Sequence, residues 1–264
     1  TFYYDGLSYS PHNYSDIYAN CDISMWYAIA TSDNIYAMKT HLFLGPSCLS
    51  DTLKRFGFSG KIPANLPSLA LGTKEVTLQE LTEGYSILAN LGQKIEPTLI
   101  TKITTFNDEI VFEAKPKISN IADSSDCFIL SETMTSIFDS KLTYNIRPTG
   151  AVISSMLSHK YAGKSGSTDT DNWMIGYSPN LVVGVWTGYD DNRLIEKTSE
   201  KRFGKYIWAD VMEYYHKNNY DWYKVPSDVI SIELNLRTGF YANIGEYTKN
   251  MYFRESNILW YIKL

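Results

Sequence analysis

Apolar positions along this chain follow two different periods, and the change from one to the other falls past its midpoint. Residues 1–20 are polar and aromatic, broken by Gly6, Pro11 and Asn13, and read as a loop leading to helix. Ile23, Trp26 and Ile29 then recur at helical spacing until Thr31-Ser32-Asp33-Asn34. Such side chains compete for backbone hydrogen bonds, so they break or cap helices. A second helix carries Ile35, Met38 and Leu42 and stops at Gly45-Pro46; a third places Leu49, Leu53 and Phe56 on one face and ends at Gly57. Over 77–91 the pattern is clearest: Leu78, Leu81, Tyr85 and Leu88 share a face, Thr77 and Glu80 form a capping box, and Gly92 ends the helix. Residues 97–112 alternate around Asn107-Asp108, which predicts a hairpin, and 131–160 return to helix with Met134, Ile137 and Phe138 inward.

From Trp173 the period is that of strands. Trp173–Tyr177 and Leu181–Tyr189 are joined by Ser178-Pro179-Asn180, a hairpin turn. Both runs are apolar on each face, so helices must cover the hairpin. Ile207, Trp208, Val211, Met212 and Tyr215 offer one such cover. Beyond Pro226, short strands at Val229–Leu234 and Asn250–Phe253 flank Thr238-Gly239. This order predicts an α+β fold, an antiparallel sheet with helices packed on its faces. The expected division is a main domain over 1–224 and the start of a small C-terminal β extension over 225–264.

Composition narrows the function. Hydrophobic residues at 44% and charged residues at 20% indicate a globular chain, not a disordered one. The net charge is −5 and no run of Lys or Arg exceeds two residues, so the basic stripe that nucleic acid requires is absent. Three cysteines without a CxxC, and only four histidines, argue against a disulfide framework and against zinc; no metal or cofactor is called for. No stretch approaches the roughly 18–20 apolar residues that span a bilayer. The opening residues, from Thr1 to Gly6, read like the middle of a fold, so the sequence is expected to be a fragment whose anchor or export signal lies upstream.

Two polar clusters carry the candidate chemistry: Ser32-Asp33-Asn34 at a helix junction, and Lys164-Ser165-Gly166-Ser167-Thr168 at the opening of a strand that feeds the hairpin. Either alone is commonplace, since Ser-x-Asn caps helices and Lys-Ser-Gly-Ser makes turns. The Walker phosphate loop is ruled out because its first glycine is missing. Together, and in this order, they resemble the Ser-x-Asn and Lys-Thr-Gly motifs of serine β-lactamases and penicillin-binding proteins. The likeness extends to Ala162–Thr170, to Asn172–Pro179, to Leu181–Asn192 and, upstream, to Pro67–Gly72, colinear over roughly residues 5–215. In this span the chain resembles the transpeptidase domain of class A, bifunctional penicillin-binding proteins.

That resemblance implies a serine that attacks the carbonyl of an acyl-D-Ala-D-Ala stem peptide and an acyl-enzyme resolved by a neighbouring stem's amine, with β-lactams as alternative ligands. It implies a proton relay at Ser32, an amide clamp at Asn34 and an ammonium at Lys164. Ser165, Gly166, Ser167 and Thr168 would bind substrate, with the Ser167 backbone N–H as half of an oxyanion hole worth about 3–4 kcal/mol. It also implies the extracytoplasmic face of a bacterial membrane, reached through an anchor outside the chain. Lys-Ser-Gly replaces the usual Lys-Thr-Gly and keeps the hydroxyl. No Ser-x-x-Lys occurs in the 264 residues. The nucleophile and its lysine are expected just before Thr1, and the chain alone should not acylate. A serine β-lactamase would need a deacylating glutamate in a Glu-x-x-Leu-Asn string between the two clusters, and there is none. A non-catalytic β-lactam or wall-peptide sensor is the other alternative.

Overall fold

The computed structural model describes residues 1–4, 6–64 and 66–258. Two short strands, β1 (Phe2–Tyr4) and β2 (Leu7–Tyr9), pair antiparallel ahead of three helices, α1 (Met25–Thr31), α2 (Asn34–Leu44) and α3 (Pro46–Phe56). Ser24 caps α1, its hydroxyl accepting from the Tyr27 N–H at 3.0 Å. α4 (Leu78–Ala89) has the predicted capping box, formed in both directions between Thr77 and Glu80. β3 (Gln93–Ile95) pairs with β6 (Ile118–Asn120), and between them β4 (Lys102–Thr104) and β5 (Ile110–Glu113) form the hairpin expected around Asn107-Asp108. Its strands are shorter than the alternation suggests, and residues 97–101 belong to no strand.

One helical expectation needs correction. The helix read over 131–160 starts earlier, as α5 (Ser124–Met134), because the Asp123 carboxylate caps it by accepting from the Ser125 and Asp126 N–H groups. It tightens into a 3₁₀ turn over Thr135–Phe138 and stops. Residues 139–150 are irregular, and a second 3₁₀ turn spans Ala151–Met156. In this gap Pro148 brings no backbone N–H, and Thr149 spends its own on the Ala30 carbonyl at 2.9 Å. The segment is thereby tied to α1 instead of to a helix of its own.

The chemistry-bearing half is a three-stranded antiparallel meander, β7 (Ala162–Ser167), β8 (Asp171–Ser178) and β9 (Leu181–Gly188), with β7 at one edge. On one face Tyr177 packs with Ala89 of α4 and Met134 of α5. On the other, Met174 packs under α6 (Phe203–His216) with Trp208 and Met212. The helix covers expected for the hairpin are therefore present on both faces. The stripe assigned to α6 is only half right: Trp208 and Met212 are fully buried, but Ile207, Val211 and Tyr215 are 48%, 42% and 53% exposed. The inward row is Gly204, Trp208, Met212 and His216, at four-residue steps. Gly176 sets that row: a Cβ there would lie 2.5 Å from the Trp208 ring and 2.7 Å from the Ala162 carbonyl, so only glycine lets the indole seat on the sheet.

β10 (Val229–Asn235) and β11 (Thr248–Arg254) form the C-terminal hairpin, followed by one short turn of helix over Glu255–Ile258. Leu234, Leu236 and Met251 share a core with Trp26, Tyr27 and Ala30 of α1. The Ser24 N–H and hydroxyl donate to the Arg237 and Leu236 carbonyls. The N-terminus of α1 is thus clamped by residues more than 200 positions away.

Candidate active site

The junction between α1 and α2 is built around Ser32. α1 ends in a Schellman turn: the Ser32 N–H donates to the Ala28 and Ile29 carbonyls, the Asp33 N–H reaches back to the Ala28 carbonyl at 2.9 Å, and Ser32 itself sits in the left-handed region at φ 56°, ψ 51°. That conformation costs a non-glycine residue on the order of 1 kcal/mol or more, and such residues concentrate where function fixes a side chain's direction. Asp33 then caps α2, accepting from the Tyr36 N–H at 2.8 Å.

A residue that the sequence reading passed over as loop, Asn13, holds this junction from outside. Its side-chain nitrogen donates to Asp33 Oδ2 at 2.7 Å and to the Ile17 carbonyl at 3.2 Å, while its oxygen accepts the Asn34 N–H at 2.8 Å. Asn13 is 8% exposed and Asp33 7%, so the bond between them forms away from competing water. No motif flags Asn13, because the two partners through which it holds the junction, Asp33 and Asn34, lie 20 and 21 residues away.

Across the cleft, β7 presents Lys164. Its register partner is Ile175, so it projects on the face that α4 and α5 cover, toward α1. The Lys164 ammonium donates to Ser32 Oγ at 2.7 Å and to the Ser165 carbonyl at 2.8 Å. Burial, and secondarily the charge of Lys205, lower its pKa from 10.5 to about 8. Ser32, Asn34, Lys164, Ser165, Gly166, Ser167 and Thr168 all line one cleft of about 720 Å³. A hydroxyl bonded to an amine that titrates near neutrality can pass a proton either way.

Other expected site residues are partly committed already. The Asn34 amide nitrogen donates to the His12 carbonyl at 2.6 Å. Thr168 closes the β7–β8 turn, its hydroxyl donating to Asp171 Oδ2 and accepting from the Thr170 and Asp171 N–H groups. Gly166 is exposed, and a Cβ there would meet only Trp173 at 3.6 Å, an ordinary contact. The fold itself does not demand glycine at that position. Because β7 is an edge strand, its outer backbone groups face the cleft and can pair with an extended chain.

The Lys164 value gives a direct prediction. In the free protein, the side-chain ammonium is expected to lose its proton with a midpoint near 8. Removing the neighbouring cation with Lys205→Met should move that midpoint upward. Side-chain NMR of labelled lysine reads both, and a Lys164 midpoint above 10 in the unmodified protein would reject the environment described.

An edge strand bearing Lys-Ser-Gly-Ser faces a Ser-x-Asn helix junction across a groove, and two motifs of this kind mark the penicillin-binding class of proteins. The family model described as Penicillin binding protein transpeptidase domain matches residues 1–213, and the chain belongs to that family. It is 43% identical over 241 residues to penicillin-binding protein 2D of Bacillus subtilis, covering 91% of this chain and 35% of that protein. It is 31% identical over 242 residues to penicillin-binding protein 1A of Aquifex aeolicus, covering 88% and 32%. The chain thus spans about a third of the length of these relatives. Among solved structures, penicillin-binding protein 1A of Haemophilus influenzae superposes with a TM-score of 0.80 at 20% identity, over 95% of this chain and 43% of that one. PonA1 of Mycobacterium tuberculosis, in complex with penicillin V, gives 0.66 at 17% identity, over 94% and 66%. These structural likenesses establish the shared α+β fold.

Proposed function

We propose that this domain carries the substrate-binding and proton-relay half of a serine D,D-transpeptidase, which cross-links peptidoglycan stem peptides and captures β-lactams. The observation that carries the reading is the 2.7 Å contact between Ser32 and Lys164, 132 residues apart in sequence and facing across one cleft. In the proposed reaction a serine oxygen bonds to the carbonyl carbon of the penultimate D-Ala, and the terminal D-Ala leaves as its amine. Ser32 passes the serine's proton to that leaving group, and Lys164 keeps the relay poised and attracts the terminal carboxylate. The Asn34 side-chain oxygen faces the substrate's backbone N–H. The nucleophile is assigned to a Ser-x-x-Lys in sequence preceding Thr1, since none occurs within residues 1–264. The working site is placed at the extracytoplasmic face of the bacterial membrane, attached through a segment outside this chain.

The test uses a longer version of the protein that includes the sequence preceding Thr1. It is expected to take up fluorescent penicillin covalently, and Lys164→Ala is expected to lose most of the label. Equal labelling of that variant would reject the assignment. Gly166→Val separates function from folding: with open space around Gly166, its melting temperature should stay within a few degrees of the unsubstituted protein while labelling collapses. Retained labelling would contradict the ligand's position along β7. A non-catalytic peptide sensor is the second reading, favoured by the absence of Ser-x-x-Lys; it requires that penicillin bind the longer protein without forming a covalent adduct.

A further inference from the structure

The cleft holds more positive charge than one terminal carboxylate needs. Arg147, Lys164, Lys201, Arg202 and Lys205 all line it, in a chain whose net charge is −5. Among the described residues none of the five forms an ion pair, whereas Lys160, Lys249 and Arg254 elsewhere each bond to carboxylates. The acids nearby do not neutralise them. Asp33 is buried and already accepts from Tyr36 and Asn13. Glu200, next to Lys201 in sequence, instead accepts from the Tyr189 hydroxyl at 2.9 Å and pairs with Lys197 at 3.3 Å. Asp169 is the one other acid lining the cleft. Lys205 donates to the Thr149 carbonyl at 2.7 Å, a neutral partner. The charges also act on one another: Lys205 helps to lower Lys164, and Arg202 helps to lower Lys205. Five cations against two carboxylates, none of them ion-paired with another among the described residues, leave the groove positive and favour an anionic ligand.

Resting on the transpeptidase reading, in which Lys164 meets the terminal carboxylate, we propose that Arg147, Lys201 and Arg202 form a separate subsite for a second carboxylate, one internal to the stem peptide. The site then prefers stem peptides whose internal glutamyl carboxylate is free over those in which it is an amide. A charge-assisted hydrogen bond to that group is expected to give about tenfold tighter binding.

The experiment compares two synthetic pentapeptides ending in D-Ala-D-Ala, identical except that one internal glutamyl carboxylate is free or amidated. Their affinities for the 264-residue protein are measured by NMR titration at low salt. The free acid should bind about tenfold tighter, and the ratio should fall to about one in the triple variant Arg147→Gln, Lys201→Gln, Arg202→Gln. Equal affinities in the unsubstituted protein, or a preference that survives the triple variant, would overturn the subsite. Loss of both peptides in Gly166→Val alongside equal affinities would overturn the subsite alone and leave the cleft's assignment standing. Failure of either peptide to bind the unsubstituted protein would overturn both.

Discussion

Trp208→Ala is expected to lower the free energy of unfolding by about 3–5 kcal/mol and to weaken ligand capture as well. The indole is fully buried, lies flat on Phe138 with ring centroids 5.3 Å apart and 8° between planes, and meets Tyr161 edge-on at 5.7 Å. Its removal opens a cavity between α6 and the sheet that a rigid strand pair cannot collapse to fill. The consequence reaches the site through one intermediary. Phe138 is the ring against which Gly163 packs, close enough that a Cβ on Gly163 would lie 2.9 Å from it. Gly163 precedes Lys164 on β7, so a displaced Phe138 lets the strand settle and the Lys164–Ser32 contact lengthen. Trp208→Phe should cost much less, because it keeps the stacked ring and removes an indole N–H that has no partner among the described residues. Denaturant unfolding checks the first part and penicillin labelling of the longer protein the second. A cost below about 1 kcal/mol for the alanine variant would show that the helix and sheet repack without the indole.

Lys160→Met is expected to cost about 3–5 kcal/mol, more than Glu132→Gln at the other end of the same ion pair. The asymmetry follows from burial. Lys160 Nζ lies 2.6 Å from the Glu132 carboxylate, but the lysine side chain is 39% exposed and the glutamate side chain only 4%. Without Glu132, the ammonium can turn to water. Without Lys160, the carboxylate is left buried, and among the described residues the Trp222 Nε1–H at 2.7 Å is its remaining hydrogen-bond donor. Combining Lys160→Met with Glu132→Gln removes the stranded charge and should recover most of the loss. Thermal and denaturant unfolding of the three variants form the test. Additive losses in the double variant, or a milder effect from Lys160→Met than from Glu132→Gln, would count against the buried-charge account. The pair also ties Trp222, which follows α6, to α5, so the strongest effects are expected in the packing that supports β7 from its start.

Several elements were readable from the residues because their causes are local. The α4 capping box needs only Thr77 and Glu80, three apart, and the structure forms it in both directions. The β8–β9 hairpin needs only two apolar runs and a short turn, and its register closes from Ser178 opposite Leu181. α6 shows where this kind of reading ends. Its apolar residues wrap most of the helix, and nothing within the helix says that Trp208 faces Gly176 while Ile207 faces outward. The failed helix over 139–150 has the same origin: its backbone partner is Ala30, far away along the chain.

The amino-acid sequence by itself determined the order and type of the main elements, the two polar clusters and, by resemblance, the family they belong to. These depend on interactions within a few residues or on the colinear order of motifs, both of which a string of letters preserves. Only the tertiary structure decided that Ser32 and Lys164 touch, that Asn13 braces the junction beside them, and that five cations share one cleft with no ion pair among the described residues. Those facts depend on chain segments from 17 to more than 130 residues apart, brought together by burial of apolar faces, a driving force that depends on area and carries no information about which distant side chains will meet.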